Sequence, residues 1–401
     1  MSLLGNLLHA VKPSPTLAIA RQAAQMRRDG VDVIGLAQGE PDFATPDHIN
    51  AAAKAAIDQG RTRYTDVDGT PELKAAIARK FARDNGLTYA TDQISVGTGG
   101  KQVLFNALLA TLDPGDEVVL PAPYWVSYPD MVRIAGGRPV EVACSEAQGF
   151  KITPQQLREA ITGRTKWLVL NSPGNPTGAG YSAPELRALG QELLRHPQVH
   201  VLSDDIYEHL RYDGWRFASL AAEVPELHAR TLTVNGVSKA YAMTGWRIGY
   251  AAGPRELIQA MATLQSQSTS NPCSIAQAAA VAALDGPHDF LAARNQVFQA
   301  RLDLCLAALR STPGLGCRRP EGAFYLFPRC EDLIGRADPH TGRPLRNDLE
   351  VTRYLLERAR VAVVPGSAFG APGHFRISFA TATERLETAC QRIRAACAEL
   401  V

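Results

Sequence analysis

The chain has 401 residues, 45% of them hydrophobic and 20% charged, which is enough apolar length for a sizeable core and two domains and excludes a disordered protein. Its formal net charge is +2, with the signs interspersed, which excludes a general nucleic-acid surface or a polybasic membrane face; any preference for anions must be local. No run reaches the roughly 18 apolar residues of a membrane span, and the opening MSLLGNLLHAVKPSP lacks an export signal's basic region and long apolar core, so a cytoplasmic location is expected.

In chain order, residues 1–15 are interrupted by Pro13 and Pro15 and cannot build a core element alone, so an arm over 1–45 is expected to join a smaller domain. Residues 46–287 form the large unit. From about 90 onward, short β-branched runs alternate with helical patterns: ISVG at 94–97, EVVL at 117–120, WLVL at 167–170, VHVL at 199–202, TLTV at 231–234 and IGYAA at 248–252. Continuous apolar strands separated by Ala/Leu-rich helices, such as 101–111 and 183–195, predict an α/β fold whose mostly parallel sheet is covered on both faces. Residues 288–401 change pattern. A long helix (288–310), strands near 322–327, 361–364 and 375–379, and a final helix from 383 predict a smaller α+β domain, with 331–348 as a surface excursion rich in Gly, Pro, Arg and Asp.

Ligands in such sheets bind outside the carboxyl ends of the strands, and four strand-following loops carry chemistry here. Lys239 lies in NGVSKAYAMTGWRIG, among small and apolar residues that solvate an ammonium poorly; this favours the neutral, nucleophilic amine that chemistry at a carbonyl requires. Arg247, beside glycines eight residues on, suits a phosphate. The turn Gly97-Thr98-Gly99-Gly100-Lys101-Gln102 matches neither a Walker P-loop nor a dinucleotide fingerprint, because Ser95 and Gln102 stand where the templates need glycine or a hydroxyl. What remains is a strand-to-helix turn suited to some phosphate, or a plain tight turn. Asn171-Ser172-Pro173-Gly174-Asn175-Pro176-Thr177-Gly178 reads as a rigid connection or a binding loop. In Ser203-Asp204-Asp205-Ile206-Tyr207-Glu208-His209, an acid at the strand end is as readily a helix cap as a functional group. Together these loops offer a lysine for an aldehyde, cations and amides for a phosphate, an acid for a ring nitrogen, and Asn175 and Tyr207 for a phenolic oxygen. Pyridoxal phosphate carries all of these groups. The cysteines (Cys144, Cys273, Cys305, Cys317, Cys330, Cys390, Cys397) contain no CxxC and no histidine at metal-ligand spacing, so they read as reduced small hydrophobes, and no metal is expected.

The lysine segment, NSPGNPTG, SDDIYEH, TRYTDVDGTPELK, APYWVSYP and HFRISFA stand in an order and spacing that resemble the class I, fold-type I aminotransferases over essentially the whole chain, most like the bacterial aspartate and aspartate/prephenate subgroup. The resemblance implies a large domain built on a mostly parallel seven-stranded sheet, a pyridoxal 5'-phosphate cofactor, and a homodimer with shared active sites. By the same resemblance, Lys239 forms the Schiff base, Asp204 pairs with the pyridine nitrogen, and Asn175 and Tyr207 bond the phenolic oxygen while Trp125 stacks on the ring. Phosphate falls to Arg247, Gly99, Gly100, Lys101, Ser238 and the partner subunit's Tyr64. Arg376 clamps the substrate α-carboxylate, helped by Asn175, Trp125 and the Gly39 backbone. Gly236 departs from relatives that carry serine there, and some shorter relatives lack the 331–348 excursion.

The implied reaction is a ping-pong transamination between aspartate or glutamate and oxaloacetate or 2-oxoglutarate. Lys12, Ser14, Thr16, Lys101 and Ser266 of the partner subunit are candidates for the distal carboxylate, and Lys12 also admits prephenate. An aromatic or neutral amino-acid aminotransferase, or a C–S lyase on the same cofactor, stays open at this stage. A ligand-sensing domain of a transcription regulator would need a basic N-terminal DNA-binding module, and only about 40 residues without such a pattern precede GEPDF.

Overall fold

The computed structural model describes Leu3, Val11 and residues 15–401; Lys12 and Ser14 lie outside them. After a helix at Pro15–Arg28, the strands β1 (Ile34–Gly35), β2 (Ile94–Thr98), β3 (Glu117–Ala122), β4 (Arg138–Ala143), β5 (Thr165–Asn171), β6 (His200–Asp204), β7 (Thr231–Gly236) and β8 (Ile248–Ala252) follow. Seven of these form one sheet in the order β2-β8-β7-β6-β5-β3-β4. β4, β3, β5, β6 and β7 pair in parallel, and β8 runs antiparallel to both β7 and β2.

Alternate side chains of these strands feed two cores. Val118, Leu120, Trp167 and Val169 pack on one face with the helices Gly100–Thr111 and Arg255–Ser266, and Val119, Leu168 and Leu170 pack on the other with the helix Ala183–Leu193. Every residue of β7 and β8 is buried, which explains why these strands read as unbroken apolar runs in sequence. β4 escaped that reading because it is an edge strand. No residue of Arg138–Ala143 is fully buried: Val140 and Val142 are half-covered, Arg138, Glu141 and Ala143 are exposed, and Pro139 costs little at an edge where one side of the ladder is open.

The remaining strands are β9 (Tyr325–Leu326), β10 (Val361–Ala362), β11 (Val364–Pro365) and β12 (Phe375–Ser378). β11, β12 and β9 form an antiparallel sheet in that order, backed by the helices Asp289–Arg310 and Thr383–Glu399 through Phe298, Leu302, Leu386 and Ile393. The expected strand regions are therefore present but shorter than the apolar runs that announced them. β1 pairs in parallel with β10, and Leu36 exchanges backbone hydrogen bonds with Ala362 and Ser378, so the 34–36 segment is sewn to the C-terminal strands. Arg301 grips the Asp42 carboxylate with two hydrogen bonds of 2.7 and 2.8 Å. The 331–348 excursion is pinned rather than loose: Ala337 bridges to Pro344 and its amide donates to the Val401 carbonyl, while Asp338 accepts from the His340 amide. Among the described residues, no helix is long and apolar enough to cross a membrane.

Candidate active site

Because β2 and β5–β7 run in the same direction, their carboxyl ends open on one edge of the sheet and deliver their loops to one cavity of about 440 Å³. Lys239 arrives from the loop after β7. Its Nζ donates to the Gly39 carbonyl at 2.6 Å and lies 5.9 Å from the ring centroids of both Tyr207 and Phe324. Burial, reinforced by the charge of Arg376, pulls its pKa down to about 8, against the opposing influence of Glu40. The sequence reading of a poorly solvated amine thus has a physical basis: aromatic faces and one carbonyl replace water.

Asp204 is the last residue of β6 and is buried. Tyr128 donates to its Oδ2 at 2.6 Å, the Ile206 amide reaches Oδ1 at 3.4 Å, and no cation lies in bonding distance among the described residues. Burial pushes its pKa up to about 6, although the Tyr128 hydrogen bond pulls the other way. A turn rather than a helix follows it, which removes the helix-cap reading. Asn171 fastens the neighbouring loop: its Nδ2 donates to the Asp204 carbonyl and its Oδ1 accepts the Asn175 amide.

The opposite end of the cavity is cationic. The helix Gly100–Thr111 starts there, with the Gly100 and Lys101 amides at a terminus where the first N–H groups have no intrahelical acceptor. Gly99, with φ +82°, leaves room for Arg247, whose guanidinium a Cβ at that position would strike at 2.2 Å. Arg247 donates to the Thr98 and Thr244 carbonyls. Lys101 lies 4.8 Å from the Trp125 ring centroid, and burial together with the charge of Arg247 lowers its pKa. Two cations and a helix N-terminus facing one space form an arrangement that a dianion would relieve.

Arg376 comes from β12, on the C-terminal side of the cavity, and is only 3% exposed. It donates to the Asn175 Oδ1 at 2.8 Å and to the Ala37 carbonyl, its Nε has no partner, and among the described residues no carboxylate pairs with it. A buried guanidinium left in that state is a receptor for an anion.

The cavity wall therefore collects Gly39, Gly100, Lys101, Trp125, Asn175, Asp204, Tyr207, Ser238, Lys239, Arg247 and Arg376 from the sequence-derived set. Gly99 stands just outside it, in the turn. Tyr64 does not line the cavity of its own chain and is 91% exposed.

A family model described as aminotransferase class I and II matches residues 31–393. The chain belongs to the class I and II aminotransferases. The aminotransferase is 59% identical over 400 residues to the aspartate/prephenate aminotransferase of Cereibacter sphaeroides, with 100% of each chain covered. Among solved structures, it superposes on the aspartate aminotransferase of Rhizobium meliloti with a TM-score of 0.97 at 55% identity, covering 100% of both chains. The aspartate aminotransferase of Thermus thermophilus, solved with maleate, matches with a TM-score of 0.92 at 46% identity, covering 99% of this chain and 100% of that one.

Sequence reasoning missed two aminotransferase residues that the cavity includes. Tyr128 lies in the quoted APYWVSYP segment but reads as one more core aromatic, and only the tertiary structure aims its hydroxyl at Asp204. Tyr325 sits in GAFYLFP with no polar neighbour to mark it, yet its hydroxyl is 2.7 Å from that of Tyr207. Gln38, Glu40 and Thr244 also line the wall, with the Thr244 hydroxyl donating to Glu40 at 3.0 Å.

Proposed function

We propose that this aminotransferase moves an amino group between aspartate or glutamate and oxaloacetate or 2-oxoglutarate, with prephenate as a further acceptor, through two half-reactions on pyridoxal 5'-phosphate in one site. The observation that carries the reading is Arg376: a buried guanidinium whose Nε is unpaired and which has no carboxylate partner among the described residues, lining the same cavity as a buried lysine. A planar fork of this kind matches an α-carboxylate bidentately.

The residues present fit the cofactor. Asp204 keeps lone pairs free for a ring N–H and has no cation in contact among the described residues; the Gly99–Lys101 turn and Arg247 offer a phosphate cradle; Trp125 offers a ring face; Asn175 and Tyr207 line the same cavity. When bound, pyridoxal phosphate supplies a protonated ring that draws electron density from the substrate α-carbon. Asp204 would face that ring nitrogen and favour its protonated form, acting through charge at a fixed position. Lys239 would hold the group through its aldehyde. Its amine, once freed, moves the proton at the substrate α-carbon, a task that its depressed pKa suits near neutral pH. Arg376 orients the substrate so that this proton faces Lys239.

The dicarboxylic preference is supported by the cationic character of the cavity, with Lys101 beside Arg247, and by the maleate held by the Thermus relative. Lys12 is proposed to meet the distal carboxylate. A homodimer is supported by the position of Tyr64 and by an apolar groove of about 560 Å³ beside the cavity, lined by Phe105, Leu109, Met131, Ile134 and Leu264. A division into 1–45, 46–287 and 288–401 is supported by the pairing of β1 with β10 and by separate cores behind the two main sheets. A reducing, cytoplasmic setting is supported by seven free cysteines, six of them buried.

The decisive test is a panel of amino donors and oxo acceptors, prephenate included, with products identified. Aspartate or glutamate should lead, and initial-rate plots at several fixed acceptor concentrations should be parallel. Ammonia and pyruvate formed from cysteine-type substrates without an acceptor would instead identify a lyase, and aromatic donors outrunning dicarboxylic ones would identify an aromatic aminotransferase.

A further inference from the structure

Two phenols share one hydrogen bond in the cavity, at 2.7 Å between the hydroxyls of Tyr207 and Tyr325. Each hydroxyl has one proton, so only one of them can point into the shared contact, and the other is left to point elsewhere. Which way the pair is polarised depends on the neighbours. Tyr325, on β9, packs against β12, and its ring centroid lies 4.7 Å from the Arg376 guanidinium carbon. Tyr207 has no such cation at close range apart from Lys239, 5.9 Å from its ring. Burial raises the proton affinity of both phenols. The charge of Arg376 offsets part of that rise for both, and it is the Tyr325 ring that lies against the guanidinium. A phenol polarised by an adjacent cation is the better donor, so Tyr325 is assigned as donor and Tyr207 as acceptor in their 2.7 Å contact, which frees the Tyr207 proton to point into the cavity. Gly39 makes this packing possible, because a Cβ there would fall 2.4 Å from the Tyr325 hydroxyl.

We propose that Tyr325 is a positioning residue: its hydroxyl, on a ring whose face meets Arg376, sets the direction of the Tyr207 proton toward the phenolic oxygen of pyridoxal phosphate and so ties that oxygen to the carboxylate clamp. The proposal rests on the cofactor reading above. It places one end of a two-phenol chain beneath the residue that meets the substrate carboxylate, and the other at the ring oxygen whose charge governs the basicity of the carbon–nitrogen linkage beside it. Tyr207 lies in the turn after β6 of the large sheet and Tyr325 on β9 of the small one, so the chain also crosses between the two.

The test is the pH titration of the visible absorbance of the protein loaded with pyridoxal phosphate, for the parent, Tyr325→Phe, Tyr207→Phe and the double variant. Weakening a donor to an anionic oxygen makes that oxygen hold a proton more tightly; Tyr325→Phe leaves the Tyr207 hydroxyl unpolarised and undirected, and so should raise the midpoint by about 0.5–1.5 pH units. Tyr207→Phe should raise it at least as far, and adding Tyr325→Phe to it should change nothing further, because the first change has already cut the chain. Thermal unfolding of Tyr325→Phe checks that the effect is not general loosening. A Tyr325→Phe midpoint equal to the parent's, or shifts that simply add in the double variant, would overturn the assignment of Tyr325 alone. A parent protein that shows no pH-dependent visible band with pyridoxal phosphate would overturn the cofactor reading and this inference with it.

Discussion

Among the described residues, neither Arg376 nor Asp204 has an opposite charge in contact although both are buried, and each leaves a measurable trace. Truncation of Arg376 to alanine should lower kcat/KM for every α-carboxylate substrate on the order of 100- to 1,000-fold, the loss expected when one side of a buried, hydrogen-bonded charge pair is removed. Arg376→Lys keeps the charge but not the fork and should fall between the two. Equal activity of parent and Arg376→Ala in steady-state kinetics would refute the clamp. For Asp204 the readout is stability of the cofactor-free protein. Its pKa is raised to about 6 by burial, above the ordinary aspartate range near 4, so the native state binds the proton more tightly than the unfolded chain. The stabilising contribution of that proton is therefore present below pH 4 and is lost as pH rises through 6, a cost of about 3 kcal/mol at higher pH. Asp204→Asn should be more stable than the parent at pH 8 by up to that amount, with the advantage vanishing toward pH 4, while transamination collapses. Urea unfolding at the two pH values checks the sign, and an equal difference at both would exclude it.

At the level of elements, the cationic end of the cavity depends on how closely β8 passes the start of the helix Gly100–Thr111. A Cβ on Gly249 would lie 2.1 Å from the Gly100 nitrogen and 2.4 Å from the Gly99 carbonyl carbon, and neither backbone atom can rotate away. Gly249→Ala should therefore cost at least about 2 kcal/mol in stability and weaken pyridoxal phosphate binding, since the turn must move to relieve the clash. Gly163→Ala, where an added Cβ meets nothing within 4 Å, should change stability by less than about 0.5 kcal/mol. Denaturant midpoints of the two variants, with cofactor affinity measured alongside, check the contrast. The elements themselves were largely legible beforehand. Six of the seven large-sheet strands announce themselves as apolar runs because both faces are covered, whereas β4 was hidden by the alternation and proline of an edge strand. The two-residue strands β9, β10 and β11 cannot be delimited by periodicity at all, since a pattern of period two needs several residues to show itself.

Across the whole molecule, the placement of Tyr64 tests the proposed assembly. If the partner subunit's Tyr64 completes each phosphate site, Tyr64→Ala and Lys239→Ala proteins, both feeble alone, should regain activity when refolded together. Random pairing in equal amounts would leave about a quarter of all sites with both groups intact. Mixing that restores nothing, with heterodimers shown to form, would place Tyr64 outside the site.

By itself, the sequence determined the mostly parallel α/β scaffold and marked the four strand-following loops whose lysine, acid and asparagine line one cavity with Arg247, because burial on both sheet faces and glycine-lined turns leave local marks in residue order. It also determined that the environment of Lys239 is poorly hydrated, and burial lowers its pKa as that reading requires. Only the tertiary structure decided which aromatic side chains serve the site. Tyr128 and Tyr325 look like core residues from their neighbours, and a hydroxyl acquires its partner from chain segments 76 and 118 positions away. It likewise decided that, among the described residues, Arg376 is buried without an opposing carboxylate, because the presence or absence of such a partner is a fact about three-dimensional neighbours that no local pattern encodes.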